Sequence, residues 1–138
     1  VFNDIYQLEV SHTTATWTEL PSSSDTPSGM IYHSLTALAG GVAVLFGGVD
    51  AADDIVEDIW QLDVCDNIAN WTLLSSSGDV PIAAFGQTMN QLDNGAVVVF
   101  GGDEGNIGNT GWYEVDVIDR MYLMDVSSMT SCPTSASP

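Results

Sequence analysis

The sequence predicts an all-β fold, built as a repeat of four-stranded antiparallel sheets. Three observations predict it. The chain matches itself at a fixed offset of 54 residues, and its 138 residues therefore hold about two and a half units. Each unit breaks into short β-branched and aromatic runs bounded by Gly, Pro, Asn and Ser. The longest uninterrupted apolar runs, 96–100 and the equally long 42–46, fall far short of the roughly 18 residues that a membrane-spanning helix needs.

The offset carries Asp4-Ile5-Tyr6-Gln7-Leu8-Glu9-Val10 onto Asp58-Ile59-Trp60-Gln61-Leu62-Asp63-Val64, and Trp17-Thr18 onto Trp71-Thr72. It also carries Pro27 onto Pro81, Leu38 onto Leu92, Gly41 onto Gly95, and Phe46-Gly47-Gly48 onto Phe100-Gly101-Gly102. Residues 1–20 thus supply the two outer strands of a partial unit. Residues 27–74 form a complete unit, with strands expected near 33–38, 42–46, 58–64 and 71–74. Residues 81–132 form a second, with strands near 87–92, 96–100, 120–126 and 129–132. Asp93-Asn94-Gly95 signals a tight hairpin between the first two of these. A third copy of the aromatic segment, Met121-Tyr122-Leu123-Met124-Asp125-Val126, lies 62 residues after the second, so eight residues are inserted in the loop 103–118. Residues 133–138 are a Ser/Thr/Pro tail.

Simple packing accounts for the repeated residues. A sheet covered on both faces needs apolar residues on both, which explains Val42-Ala43-Val44-Leu45-Phe46. Paired glycines after that strand allow positive φ where backbones crowd.

An apolar strand closing on Gly-Gly, an aromatic three residues before an acid, and a Trp about eight residues beyond that acid together resemble the kelch repeat. The resemblance covers nearly the whole chain and implies β-propeller blades arranged around an axis, with Trp17 and Trp71 filling the outer gaps between them. The Arg and His that often open the family's first strand are Met30 and His33 in one unit and Ala84 and Gln87 in the next, and the last unit has no Trp. Its contacts between blades are expected to be weaker. Propellers use roughly four to eight blades, so about two and a half cannot close a ring. Either the chain is part of a longer propeller or several copies complete one another.

Charge narrows the partners. Arg120 is the only basic residue against 19 acids, for a net charge of −18. Nucleic acid and anionic membranes are poor partners, whereas basic proteins and metal cations are favoured. Successive strands run antiparallel, so the links between blades and the links from second to third strand share one face. Most of the acids fall there. Asp50, Asp53, Asp54, Asp103 and Glu104 are the candidate carboxylate cluster, and hard oxygen ligands at this density suit Ca²⁺. Trp112 and Tyr113 in the inserted loop are candidate contact residues for a protein partner.

The chain opens on a strand-like segment without a basic, apolar leader, so any signal peptide is expected to be removed or to lie outside it. Asn70-Trp71-Thr72 is an N-glycosylation sequon. With the scarcity of Lys and the Ser/Thr-rich tail, it points to an extracellular or cell-surface location. Cys65 and Cys132 fall in corresponding links of adjacent blades. In an oxidising compartment a disulfide between them would staple the blades, and otherwise they are free or bonded to another chain.

Catalysis has little support, since only His12 and His33 could serve as a base and no cluster has zinc or copper spacing. The sequence therefore reads as a non-catalytic extracellular module that assembles with protein partners or further copies of itself, within a surface structure or fibre, with glycan as a further candidate partner. The alternatives are a fragment of a carbohydrate-active propeller enzyme akin to the copper-radical sugar oxidases, and an intracellular kelch adaptor.

Overall fold

The computed structural model describes residues 3–23, 25–105 and 117–132. Eleven strands occur among them, and no helix is long and apolar enough to cross a membrane. β1 (Ile5–Ser11) and β2 (Thr14–Leu20) form an antiparallel hairpin. β3 (Met30–Ile31) and β6 (Val49–Asp50) form a two-residue ladder that the sequence pattern does not announce. β4 (Ser34–Ala37), β5 (Val42–Phe46), β7 (Ile59–Cys65) and β8 (Ile68–Leu74) make a four-stranded meander in that order, a complete propeller blade. β9 (Thr88–Gln91), β10 (Val97–Phe100) and β11 (Met121–Met124) make the next sheet. The fold is all-β, an incomplete run of propeller blades.

Local chemistry sets the hairpins. Cys65 pairs with Ile68, so the turn holds only Asp66 and Asn67, whose φ values of 51° and 61° define the mirror-image turn that suits twisted hairpins. β8 consequently starts three residues before the expected 71. At Asp93-Asn94-Gly95 the expected hairpin forms, closed by Leu92 N–H donating to the Ala96 carbonyl at 2.8 Å, with Gly95 at φ 87°.

The fourth strand expected at 129–132 is absent. Two residues of β8, Ala69 and Trp71, are buried, and the 62-residue offset puts Ser131 and Pro133 in their places. Neither offers the missing apolar bulk, and proline cannot donate to a ladder. Instead the chain crosses toward the preceding blade, where the Gln61 side chain donates to the Thr130 carbonyl at 3.2 Å. Between the two blades a cleft of about 250 Å³ remains, lined by Ile59, Leu74, Val99, Tyr122, Met124 and Met129 among others.

Two apolar layers hold the blades together. Leu20, Met30, Leu45, Trp60, Leu62, Ala69 and Trp71 pack the β1–β2 hairpin onto the complete blade. Trp60 and Trp71 meet edge to face at 6.4 Å. Leu38, Val44, Phe46, Ile59, Met89, Val97, Val99 and Val126 join that blade to the next. Trp71 thus fills an inter-blade gap. Trp17 does not: it is 65% exposed, because no blade covers that face of the hairpin among the described residues.

Candidate interaction face at one end of the blades

The segments that open the first strands and close the second strands converge at one end of the sheets. Gly48 N–H donates to the Ala84 carbonyl at 2.9 Å, and Gly86 N–H to the Tyr32 carbonyl at 2.8 Å. Phe85 and Asp103 exchange backbone bonds of 3.1 and 3.0 Å, and Ile118 N–H reaches the Gly102 carbonyl at 3.0 Å. Gly47 and Gly48 take φ values of 66° and 111°, and their counterparts Gly101 and Gly102 take 71° and 107°. The glycine pair is needed there: a Cβ on Gly47 would collide with the Gln87 amide nitrogen and lie 2.5 Å from the Ala84 carbonyl.

Gln87 is the buried polar residue of this end, 5% exposed. Its Nε2 donates to the Phe46 carbonyl across the blade boundary at 2.7 Å, while its Oε1 has no hydrogen-bond partner among the described residues. Nearby, Ser34 Oγ donates to the Gln87 carbonyl and Thr36 Oγ1 to the Met89 carbonyl at 2.7 Å. The boundary that lacks the family's Arg and His is therefore laced by a glutamine and two hydroxyls.

The same end carries an aromatic pair. Tyr32 is exposed with φ 58°, a backbone region costly for a bulky side chain, and its ring lies 5.9 Å from that of Phe85. Sequence reasoning missed Tyr32 and read Gln87 only as a departure from the family's strand-opening residues. A usable signal existed, because the offset of 54 places Tyr32 on Gly86, which also has positive φ, at 71°.

The predicted carboxylates ring this end. Asp50 Oδ1 accepts from the backbone N–H of Ala52 at 2.8 Å and of Asp54 at 3.0 Å, and Asp103 Oδ1 accepts from Gly105 N–H at 2.7 Å. Both cap tight turns, which is one local reason for aspartate there. Asp53, Asp54 and Glu104 are exposed, with Asp53 at φ 66°. Among the described residues these acids do not supply three ligand atoms within 4.8 Å of one another; Asp63, Cys65 and Cys132 do. Trp112 and Tyr113 lie outside the described residues.

The opposite end holds the hairpin turns with Asp66 and Asp93, and here Cys65 and Cys132 are brought together. Their Cα atoms are 6.2 Å apart, within the span that a disulfide bridges. Both sulfurs sit beside Asp63 Oδ1, at 2.8 and 3.0 Å. Asn70, on β8, is half-buried, and its Nδ2 donates to the Ile68 carbonyl at 3.2 Å.

Known proteins are similar to this chain in sequence or in fold. The chain is 24% identical over 137 residues to adagio-like protein 2 of Oryza sativa subsp. japonica, covering 91% of this chain and 20% of that protein. In fold it is similar to a chain in the cryo-EM structure of RAG in complex with one melted and one unmelted RSS, with a TM-score of 0.65, 17% identity, and coverage of 88% of this chain and 41% of that one. It is also similar to YjhT, with a TM-score of 0.60, 16% identity, and coverage of 86% and 35%. The chain thus spans well under half of each relative. The KLHDC2/KLHL20/DRC7 Kelch-repeats domain model matches residues 1–137, and the chain belongs to the kelch-repeat family.

Proposed function

We propose that this chain is a protein-interaction module, as kelch repeats imply, that it is non-catalytic and extracellular, that it assembles with protein partners as part of a surface structure, and that it receives a basic segment of a partner on its loop face. The observation that carries this reading is the strained, exposed Tyr32 beside Phe85 on an end ringed by carboxylates. An aromatic face set among acids is suited to a guanidinium or ammonium group, by cation–π contact and by charge. Supporting the extracellular half, Cys65 and Cys132 lie at disulfide span across two blades, and Asn70 stands in a sequon.

Binding of an oligo-arginine peptide, followed by fluorescence anisotropy against salt, tests the docking site. Affinity is expected to fall as salt rises. Tyr32→Ala should weaken it by roughly threefold to thirtyfold, and Asp53→Asn with Asp54→Asn should weaken it further, whereas Asp66→Asn with Asp93→Asn at the far end should not. Equal losses from both ends would overturn the site and leave only a diffuse attraction to an acidic protein.

A further inference from the structure

Gln61, Asp63 and Cys65 alternate along β7, so their side chains share one face of the strand. The segment after β11 is laid along that face. The Gln61 side chain donates to the Thr130 carbonyl at 3.2 Å, and two residues further along both segments Cys132 Sγ comes to 3.0 Å from Asp63 Oδ1. Cys65 Sγ reaches the same oxygen at 2.8 Å. One carboxylate oxygen and two sulfurs, all from half-buried side chains, thus lie within 4.8 Å of one another where the chain crosses to the preceding blade.

The repeat accounts for the acid but not for the thiols. Offsets of 54 and 62 set Glu9 and Asp125 in the place of Asp63, and Ser11 and Ser127 in that of Cys65. In the last unit the acid is satisfied locally, with Ser127 N–H donating to Asp125 Oδ1 at 2.9 Å. At Asp63 the neighbours are sulfurs. Bridged sulfurs carry no proton, so beside a closed disulfide the carboxylate would face lone pairs and gain nothing from them. Two thiols can both donate to it, and a cation between the three atoms satisfies all of them.

We propose that the reduced cysteine pair, together with Asp63, is a site for a thiophilic divalent cation of the zinc class. Thiolate and carboxylate both ligate Zn²⁺, and thiolate selects it over hard cations such as Ca²⁺. The net charge of −18 draws cations toward the site. The bridge and the ion exclude one another. A thiol reductant opens the bridge by passing two electrons to it and becoming a disulfide itself, while the two cysteine sulfurs take up two protons. The cation then displaces both protons and binds two thiolates and the Asp63 carboxylate. All three ligands belong to the described residues, and none belongs to the Tyr32 site. Bound, the ion ties β7 to the segment after β11, as the bridge does when it is closed.

Titration of the 138-residue chain with Co²⁺, after reduction by a phosphine and removal of metal with a chelator, tests it. Cobalt reports its ligands by colour, through thiolate-to-cobalt charge transfer and the intense visible bands of a tetrahedral ion. One equivalent per chain is expected, displaced by Zn²⁺ and not taken up by the oxidised protein. Asp63→Asn should keep the charge-transfer band yet weaken binding by at least roughly tenfold, and Cys65→Ser and Cys132→Ser should weaken it further. Asp4→Asn with Glu9→Gln, on the β1–β2 hairpin, should change neither band nor affinity. Each variant is compared at an unchanged circular dichroism spectrum. A reduced wild type without the charge-transfer band overturns the proposal, as does unchanged affinity in Asp63→Asn or in the oxidised protein. One ion per two chains overturns it too, because the sulfurs would then come from different chains. So does a folded spectrum that is lost on reduction and not restored by Zn²⁺.

Discussion

The amide nitrogen of Gln87 donates to the backbone carbonyl of Phe46 at 2.7 Å, in the buried seam between two blades. A glutamine thus satisfies an acceptor that closes β5. Gln87→Ala removes the donor and opens a small cavity, and should cost about 2–3 kcal/mol in denaturant unfolding. Gln87→Glu should cost more at neutral pH, since a carboxylate would then face a carbonyl with no proton between them.

Gly47 and Gly101 occupy the same repeat position at nearly the same φ, 66° and 71°, with different surroundings. Among the described residues, a Cβ at Gly101 meets only the Ile118 carbonyl, at 3.8 Å. Gly101→Ala should therefore cost about 1–2 kcal/mol, from backbone strain alone. Gly47→Ala adds a collision with Gln87 and Ala84, and should lower the unfolding midpoint well beyond that.

The Cys65–Cys132 pair closes a long loop, with a sequence separation of 67. If the proposed disulfide forms, the chain-entropy model gives about 4 kcal/mol of stabilisation. The expected results are no alkylation of the folded, oxidised protein by mass spectrometry, two adducts after reduction, and a lower unfolding midpoint in reductant or in Cys65→Ser. Two adducts before reduction would exclude the bond.

Asp125 is held below the usual carboxylate range by bonds from Ser127, first its backbone N–H and then its hydroxyl. A carboxylate with a depressed folded pKa contributes stability that is complete above its unfolded pKa and lost as pH falls through the folded one. Asp125→Asn should thus be less stable than the wild type at neutral pH, and the gap should close on acidification below the ordinary aspartate range. Thermal unfolding of both proteins across that range measures it.

Much of the fold could be read from the sequence because the signals repeat. Phe46-Gly47-Gly48 and Phe100-Gly101-Gly102 mark the same strand end twice, and the structure gives them the same dihedral angles. Position within a blade was also legible from Trp71. What escaped was contingent on neighbours: Trp17 carries the same signature as Trp71 yet lies exposed, since burial depends on the adjacent blade rather than on the residue. Among the described residues no fourth strand forms at 129–132, where Ser131 replaces Ala69. At the candidate site, the acids were visible as charge, but the left-handed backbone of Tyr32 and the cross-blade reach of Gln87 are tertiary facts that no local propensity encodes.

The boundary between the two sheets is fastened differently at its two edges. Toward the first strands, Ser34 and Thr36 hydroxyls grip the Gln87 and Met89 carbonyls; toward the third, the apolar side chains of Ile59, Leu74, Tyr122 and Met124 line the cleft between the sheets. Apolar attraction fades on cooling and directional bonds do not fade with it. Chilled, the two sheets should spread like a fan from the periphery while staying pinned along the axis, with amide exchange at Tyr122 outrunning that at Met89.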